Sequence, residues 1–214
     1  MITIWGRPSA YNFQKVHWFL EELGVEYNHI NIGGSLGGLD SEDFLAMNPN
    51  GQIPVIEDNG NVIWESNTIL RYLAANYGAR KFWSDVPIER SIFERWMDWE
   101  LANLQPSFLL LFWTYYRTPV NQRNRQIIKQ HKDRCERYVG ILDTCLGKNK
   151  YLSNNVFGLG DICVGTCFYR YFNMGLKVSR PTNVNEWYGR LSEREAYKKI
   201  IQVPFNALKG RLEA

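Results

Sequence analysis

The residues from Asn48 to Ser66, NPNGQIPVIEDNGNVIWES, combine types that are suited to binding a peptide. Pro54 lies within a short β-branched run, where a proline removes one hydrogen bond from a strand ladder. It therefore indicates either an edge strand or a cis turn residue. If the Ile53-Pro54 bond is cis, we expect the main-chain N–H and C=O of Ile53 to point outward, where an extended peptide can pair with them as an added strand.

A helix is predicted to begin directly after this stretch, because the apolar residues of Asn67 to Tyr77 follow helical spacing. Free N–H groups at its start and the Ser66 hydroxyl can bind a carboxylate, and Glu65 can accept a hydrogen bond from an ammonium. A carboxylate and an ammonium on one carbon, attached to an extended peptide, describe the γ-glutamyl end of glutathione. Taken singly, Ser66 could be an N-cap and Pro54 an edge-strand residue, but their combination favours a binding site.

The runs NPNGQIPVIED and ESNTILRYL resemble the second half of the N-terminal domain of cytosolic glutathione transferases, in a bacterial type with a serine- or asparagine-like motif. The resemblance covers essentially the whole chain. It implies a thioredoxin-like glutathione-binding domain over residues 1–79, an all-helical domain over residues 87–214, a homodimer, and glutathione as co-substrate. The residues that it assigns to glutathione are Gln52, Ile53, Pro54, Glu65 and Ser66.

The first part of the chain follows the order of elements that this resemblance implies. A strand at Ile2–Trp5, an amphipathic helix that stops at Gly24 and a strand at residues 25–32 predict a right-handed β-α-β unit. The glycine-rich run of residues 33–38 is interpreted as a flexible turn, because it is not placed between a strand and a helix as in a nucleotide site. The order β-α-β, helix, β-β-α is that of a thioredoxin-like domain.

The second part is predicted to be helical. Residues 78–87 are interpreted as a linker, and two long helical patterns follow at 88–116 and 121–146. The run from Gly158 to Asp161 resembles the capping box at the family's buried helix, with glycine in place of the usual serine or threonine. The acidic half of the cap is retained, so we expect that helix to form. The stretch from Trp187 to Tyr197 resembles the family's penultimate helix.

Composition excludes several other classes of protein. The net charge of the 214 residues is only +3 with no basic run, so nucleic acid is not an expected partner. There is no apolar stretch long enough to span a bilayer and no signal-peptide pattern, so we expect a cytoplasmic protein. The four cysteines are spaced neither as zinc ligands nor as a CxxC pair, so we expect no metal site and no dithiol exchange.

The reaction that this resemblance implies requires the sulfur of glutathione to be a thiolate, because a thiol is a poor nucleophile. In the family a donor in the loop after the first strand stabilises it, and that loop is residues 7–12 here. Alignment places the family's serine on Ala10, which cannot donate a hydrogen bond. We predict that Asn12 and nearby N–H groups support the thiolate, with Ser9 as the alternative donor. Ser9 and Asn12 could also simply cap the first helix, and Arg7 is a possible cation nearby.

The second substrate is expected to be a small apolar molecule. Aromatic residues make up 14% of the chain, and a group of them lies late in the first helix of the second domain, which faces the active site in relatives. The residues assigned to this substrate are Phe108, Phe112, Trp113 and Tyr116. Aromatic residues at helical spacing also pack in cores, so only part of this group is expected to line a pocket.

The resulting prediction is a detoxifying transferase in which the bound glutathione thiolate attacks an apolar electrophile. A first alternative is a glutathione-dependent disulfide or peroxide reductase, as asparagine-bearing relatives indicate. A second is a non-catalytic glutathione-binding or regulatory protein, for which Ala10 is the evidence. The residue that binds the glycyl carboxylate stays open between Gln52 and Lys15.

Overall fold

The computed structural model describes residues 1–212, and the chain divides into two compact units. The first unit comprises Met1–Ser84 and the second begins at Asp85. This boundary falls within the stretch of residues 78–87 that was interpreted as a linker. Part of that stretch is helical, since Ala79–Phe82 forms one helical turn.

The first unit contains a four-stranded sheet of mixed direction. In chain order its strands are β1 Ile2–Trp5, β2 Tyr27–Ile30, β3 Val55–Asp58 and β4 Asn61–Trp64. The order across the sheet is β2-β1-β3-β4, in which β1 and β2 are parallel and the other two pairs are antiparallel. This is the thioredoxin-like arrangement, so the predicted fold class of this unit is confirmed.

The strand register brings four chain connections to one edge of the sheet. Ile30 pairs with Trp5, Trp5 pairs with Val55, and Val55 pairs with Trp64. These four residues therefore form one row across the sheet. The loops that follow β1 and β2, the turn before β3 and the residues after β4 all leave from this row, although they are far apart in sequence.

Four helices accompany this sheet, and their apolar faces form its core. They are α1 Tyr11–Leu23, α2 Glu42–Met47, α3 Ser66–Tyr77 and α4 Ala79–Phe82. Side chains such as Val16, Leu20 and Leu70 are fully buried, as helical spacing predicts. The glycine-rich run is not irregular throughout, because Gly34–Leu36 forms a 3₁₀ turn, and the Gly33 N–H donates to the Gly37 oxygen.

The second unit is helical in the described residues. Its helices are α5 Pro87–Trp99, α6 Gln105–Leu111, α7 Arg125–Leu146, α8 Leu159–Gly165, α9 Phe168–Asn173, α10 Thr182–Ser192 and α11 Glu195–Ile200. Two π-helical turns, Glu100–Leu104 and Phe112–Arg117, follow α5 and α6 without a break. The long pattern predicted for residues 88–116 is thus one continuous helix. The stretch from Trp187 to Tyr197 is instead divided between α10 and α11.

A buried carboxylate organises the start of α8. Asp161 is fully buried, and it accepts hydrogen bonds from the Leu152 N–H at 2.9 Å, the Gly158 N–H at 3.0 Å and the Trp187 indole at 2.8 Å. The acidic half of the predicted cap is therefore present and Gly158 occupies the N-cap position. Because the Trp187 indole belongs to α10, Asp161 also joins the start of α8 to a helix further along the chain.

Within residues 1–212, no helix is long and apolar enough to cross a membrane. The same residues contain no group of three or more histidine, cysteine, aspartate or glutamate side chains that could hold a metal ion.

Candidate active site

The turn before β3 exposes a length of main chain. The peptide bond between Ile53 and Pro54 is cis, and β3 begins only at Val55, so Pro54 belongs to the turn and does not interrupt a strand. No hydrogen bond to another of the described residues uses the Ile53 main chain. The N–H and C=O of Ile53 are therefore available to an added strand.

Asn48 shapes this turn, and its role was missed in the sequence. Its side chain is buried, and its Nδ2 donates to the Gln52 oxygen at 2.8 Å while its Oδ1 accepts from the Asn50 N–H at 3.1 Å. An asparagine in the cluster NPNG is a turn signal, which indicated a loop but not these bonds. The side chain of Gln52 is exposed beside the turn.

The start of α3 differs from the prediction in one respect. The N-cap residue is Glu65, and Ser66 is the first helical residue, so Ser66 is not the cap. Glu65 has φ 70°, a value that non-glycine residues rarely adopt and that is often found at functional sites. Ser66 is 4% exposed, and its hydroxyl forms no hydrogen bond with the rest of residues 1–212. The hydroxyl and the first N–H groups of α3 can therefore bind an anion.

The start of α1 has no side-chain cap. Its N-cap residue is Ala10, Ser9 lies before it in an exposed turn, and Asn12 lies within the first helical turn and not in the loop. Neither Ser9 nor Asn12 thus occupies the cap position. The Asn12 Oδ1 is buried without a hydrogen-bond partner, and its Nδ2 bonds to none of the described residues. This side chain has an amide N–H to donate to a ligand.

Two contacts fix the segment between β1 and α1. His29 Nε2 lies 2.7 Å from the Gly6 oxygen, and the Gly6 N–H donates to the Ile30 oxygen at 3.1 Å. The His29 ring also packs on Phe13, with 4.9 Å between ring centroids. These contacts join β2 to the segment that leads to Asn12. His29 was not singled out in the sequence, where an isolated histidine in a strand carries no signal.

Lys15 is not available to the glycyl carboxylate. It is fully buried, and its Nζ lies 5.0 Å from the centre of the Tyr11 ring. A buried ammonium over an aromatic ring is a cation–π contact within the unit. Of the two residues left open in the sequence, only Gln52 remains.

The aromatic residues assigned to the second substrate lie mostly in the core of the second unit. Phe108, Phe112 and Tyr116 are between 1% and 4% exposed. The rings of Phe112 and Tyr116 stack at 5.0 Å, and Phe205 lies 6.0 and 5.0 Å from them. As they stand, these three rings offer almost no open surface to a substrate. Trp113 is partly exposed, with the Arg117 guanidinium 4.0 Å from its ring.

Comparison with known proteins identifies the family. The model of the glutathione S-transferase N-terminal domain matches residues 1–75. Glutathione S-transferase GstB of Escherichia coli K12 is 39% identical over 206 residues, which cover 95% of this chain and 99% of that protein. Glutathione S-transferase 3 of Zea mays is 26% identical, over 94% of this chain and 93% of that protein.

A solved structure supports the same assignment. The theta class glutathione S-transferase of Xanthomonas axonopodis pv. citri with glutathione bound is 37% identical, and it superposes with a TM-score of 0.90 over 95% of this chain and 98% of that one. Both the sequence and the fold are thus shared along nearly the whole length. The resemblance noted in the sequence is confirmed, and the chain belongs to the glutathione S-transferase family of enzymes.

Proposed function

We propose that this protein joins glutathione, through its thiolate sulfur, to a small apolar electrophile. The observation that carries the proposal is the unpaired main chain of Ile53, which lies on the same edge of the sheet as Ser66 and the loop that leads from β1 to Asn12. The theta class enzyme of Xanthomonas axonopodis pv. citri supports glutathione as the co-substrate, since its structure contains bound glutathione.

The γ-glutamyl end of glutathione would bind at the start of α3. Its carboxylate would accept from the Ser66 hydroxyl and the first N–H groups of the helix, where the helix dipole favours a negative charge. Glu65, which is exposed, would accept from the ammonium. The cysteinyl residue would then pair with the Ile53 main chain as a short added strand.

The sulfur would be activated at the start of α1. Because Ala10 has no hydroxyl, we propose the Asn12 amide and the uncapped N–H groups of α1 as donors to the thiolate, with Ser9 as the alternative. A helix N-terminus stabilises a negative charge by about 0.3–1 kcal/mol, which lowers a thiol pKa by less than one unit. The Asn12 amide adds one neutral hydrogen bond to the sulfur. Together these two effects are expected to lower the pKa of the bound thiol only modestly.

The second step joins the thiolate to the electrophile. The sulfur forms a bond to carbon, and the leaving group departs with the bonding electron pair. Trp113 is the member of the predicted aromatic group that would meet the apolar substrate, since it alone of the four keeps partial exposure. Phe108, Phe112 and Tyr116 would contact the substrate only after a rearrangement that opens the core, because they are 1–4% exposed. We also propose that the enzyme is a homodimer, which light scattering would test.

The direct test of this function has two parts. Calorimetry would measure glutathione binding, and absorbance would follow conjugation to 1-chloro-2,4-dinitrobenzene, an aromatic electrophile. Binding together with conjugation supports the proposal. Binding without turnover of this or other electrophiles favours a glutathione-holding protein, and reduction of a mixed disulfide without conjugation favours the reductase. Failure to bind glutathione would contradict the whole site.

A further inference from the structure

The guanidinium of Arg7 lies in the first unit without a partner for its charge. Arg7 follows β1 and is half-buried, and its Nε is buried with no hydrogen-bond partner. Its guanidinium forms no hydrogen bond or ion pair with another of the described residues. Arginine presents several N–H donors in a fixed planar arrangement that suits a carboxylate. An arginine that is partly desolvated and unpaired is therefore a candidate to bind an anion.

This guanidinium lies against the turn that follows β2. A Cβ added at Gly34 would overlap the Arg7 Nη1, so the guanidinium is in close contact with this turn, and the φ of 60° at Gly34 favours glycine there. The turn and the side chain thus fit each other. The glycine-rich run was interpreted in the sequence as a flexible turn. The contact with Arg7 and the positive φ explain one of its glycines, Gly34.

Gly34 lines a cavity of about 330 Å³ in the first unit. The other residues that line it are Gly37, Leu39, Asp40, Leu45 and Gly51. Gly51 precedes Ile53 by two residues and has φ 59°. The cavity therefore adjoins the exposed turn before β3.

The sheet topology sets the direction in which an extended peptide would run. Ser66 follows β4, Ile53 precedes β3, Arg7 follows β1 and Gly34 follows β2, and all lie on one edge in that order. Adjacent strands are about 4.8 Å apart, and three extended residues span about 10 Å. A tripeptide held by its first residue near Ser66 and by its second at Ile53 would bring its C-terminus to Arg7.

We propose that Arg7 binds the glycyl carboxylate of glutathione and makes the enzyme selective for a free carboxylate at that end. This inference rests on the proposed function. Asp40 is exposed and lines the same cavity, so its charge opposes a second carboxylate and increases the need for a cation. Arg7 meets that need, whereas the uncharged Gln52 contributes at most a neutral hydrogen bond.

The test compares glutathione with its glycine amide, which has the same length but no charge at that end. Calorimetry on wild type is expected to show weaker binding of the amide by about 10- to 100-fold, the range for a hydrogen-bonded charge pair. Arg7→Gln is expected to weaken the binding of glutathione by a similar factor and to leave the affinity for the amide nearly unchanged. Arg7→Lys, which keeps the charge, is expected to recover part of the loss.

Several outcomes overturn the inference. Equal affinity of wild type for the acid and the amide does so without any variant, even if Arg7→Gln fails to fold. Equal weakening of both ligands by Arg7→Gln would place Arg7 elsewhere, for example at the sulfur. Arg80→Gln, a change of the same charge at an exposed position of α4, is the control and should alter neither affinity. Failure of wild type to bind either ligand would instead contradict the proposed function.

Discussion

His29 and Gly6 are joined by a hydrogen bond of 2.7 Å between the imidazole Nε2 and the main-chain oxygen. Since Gly6 begins the segment that leads into α1, this bond ties the position of Asn12 to β2. The ring of His29 is held by Phe13, which lies in the same first turn of α1 as Asn12. The proposed thiolate site therefore depends on a side chain that would not touch the sulfur.

We predict that His29→Phe, which keeps a ring but removes the donor, lowers the free energy of unfolding by about 1 kcal/mol. It should also lower kcat/KM for conjugation, because the segment carrying Asn12 loses one of its links to β2. His29→Gln, which keeps a donor, should recover part of both effects. His131→Phe in α7 is the control. An unchanged kcat/KM in His29→Phe would show that the bond does not position the site.

We predict that Ser66→Ala weakens glutathione binding about tenfold, the effect of removing one hydrogen bond to a charged group. Its free energy of unfolding should change little, because the hydroxyl bonds to no other described residue. Calorimetry and chemical denaturation measure the two quantities. Thr68→Ala, at an exposed position two residues further along α3, should affect neither. If Ser66→Ala lowers the free energy of unfolding but not the affinity for glutathione, Ser66 has a structural role and does not bind the ligand.

The stability of the second unit should depend on pH through Asp161. Burial raises the pKa of this carboxyl from its ordinary 3.8 to about 6, although hydrogen bonds from Leu152, Trp187 and Gly158 lower it. Between these values the folded protein holds a proton that the unfolded chain has released. The free energy of unfolding therefore falls as pH rises through about 4 to 6, by a contribution of about 3 kcal/mol.

Asp161→Asn tests that contribution, because asparagine does not titrate. Urea denaturation at several pH values between 4 and 7 should show the wild-type free energy falling relative to that of the variant. The variant should also lose about 1–3 kcal/mol at pH 4, since its amide nitrogen cannot accept the third hydrogen bond. Curves that run parallel across this range would contradict the assignment of the pH dependence to Asp161.

Two neighbouring aromatic residues should respond differently to truncation. Phe112→Ala should lower the free energy of unfolding by about 3–5 kcal/mol, as expected for a buried phenylalanine. Trp113→Ala should be milder for stability but should raise KM for the electrophile. Thermal unfolding and steady-state kinetics at fixed glutathione distinguish the two. A larger kinetic effect in Phe112→Ala, with stability retained, would show that the buried ring opens to the substrate.

The turn at Ile53 and the start of α3 could be predicted because their signals are local. Pro54 and the cluster NPNG mark a turn wherever they occur. The N-cap of α3 is Glu65, one residue before the Ser66 that the sequence indicates, because a positive φ at a glutamate has no local signal in the sequence.

Contacts between distant residues could not be predicted in the same way. The spacing of Phe112 and Tyr116 is compatible with residues that line a pocket. In the structure, however, Phe205, some ninety residues further on, packs against both rings. Arg7 and Gly34 likewise meet only because β1 and β2 are parallel neighbours. The sequence therefore indicated which residues have suitable chemistry, whereas burial and packing decided which of them remain available.

Asn12 and the start of α1 are proposed to favour the thiolate of bound glutathione. The most direct measurement is the ultraviolet difference spectrum of the enzyme with glutathione, followed from acid to alkaline pH, for wild type and Asn12→Ala. We predict a bound-thiol pKa below that of free glutathione in wild type, and a pKa closer to the free value in the variant. An unshifted pKa in wild type, or the same lowered pKa in both proteins, would contradict the claim.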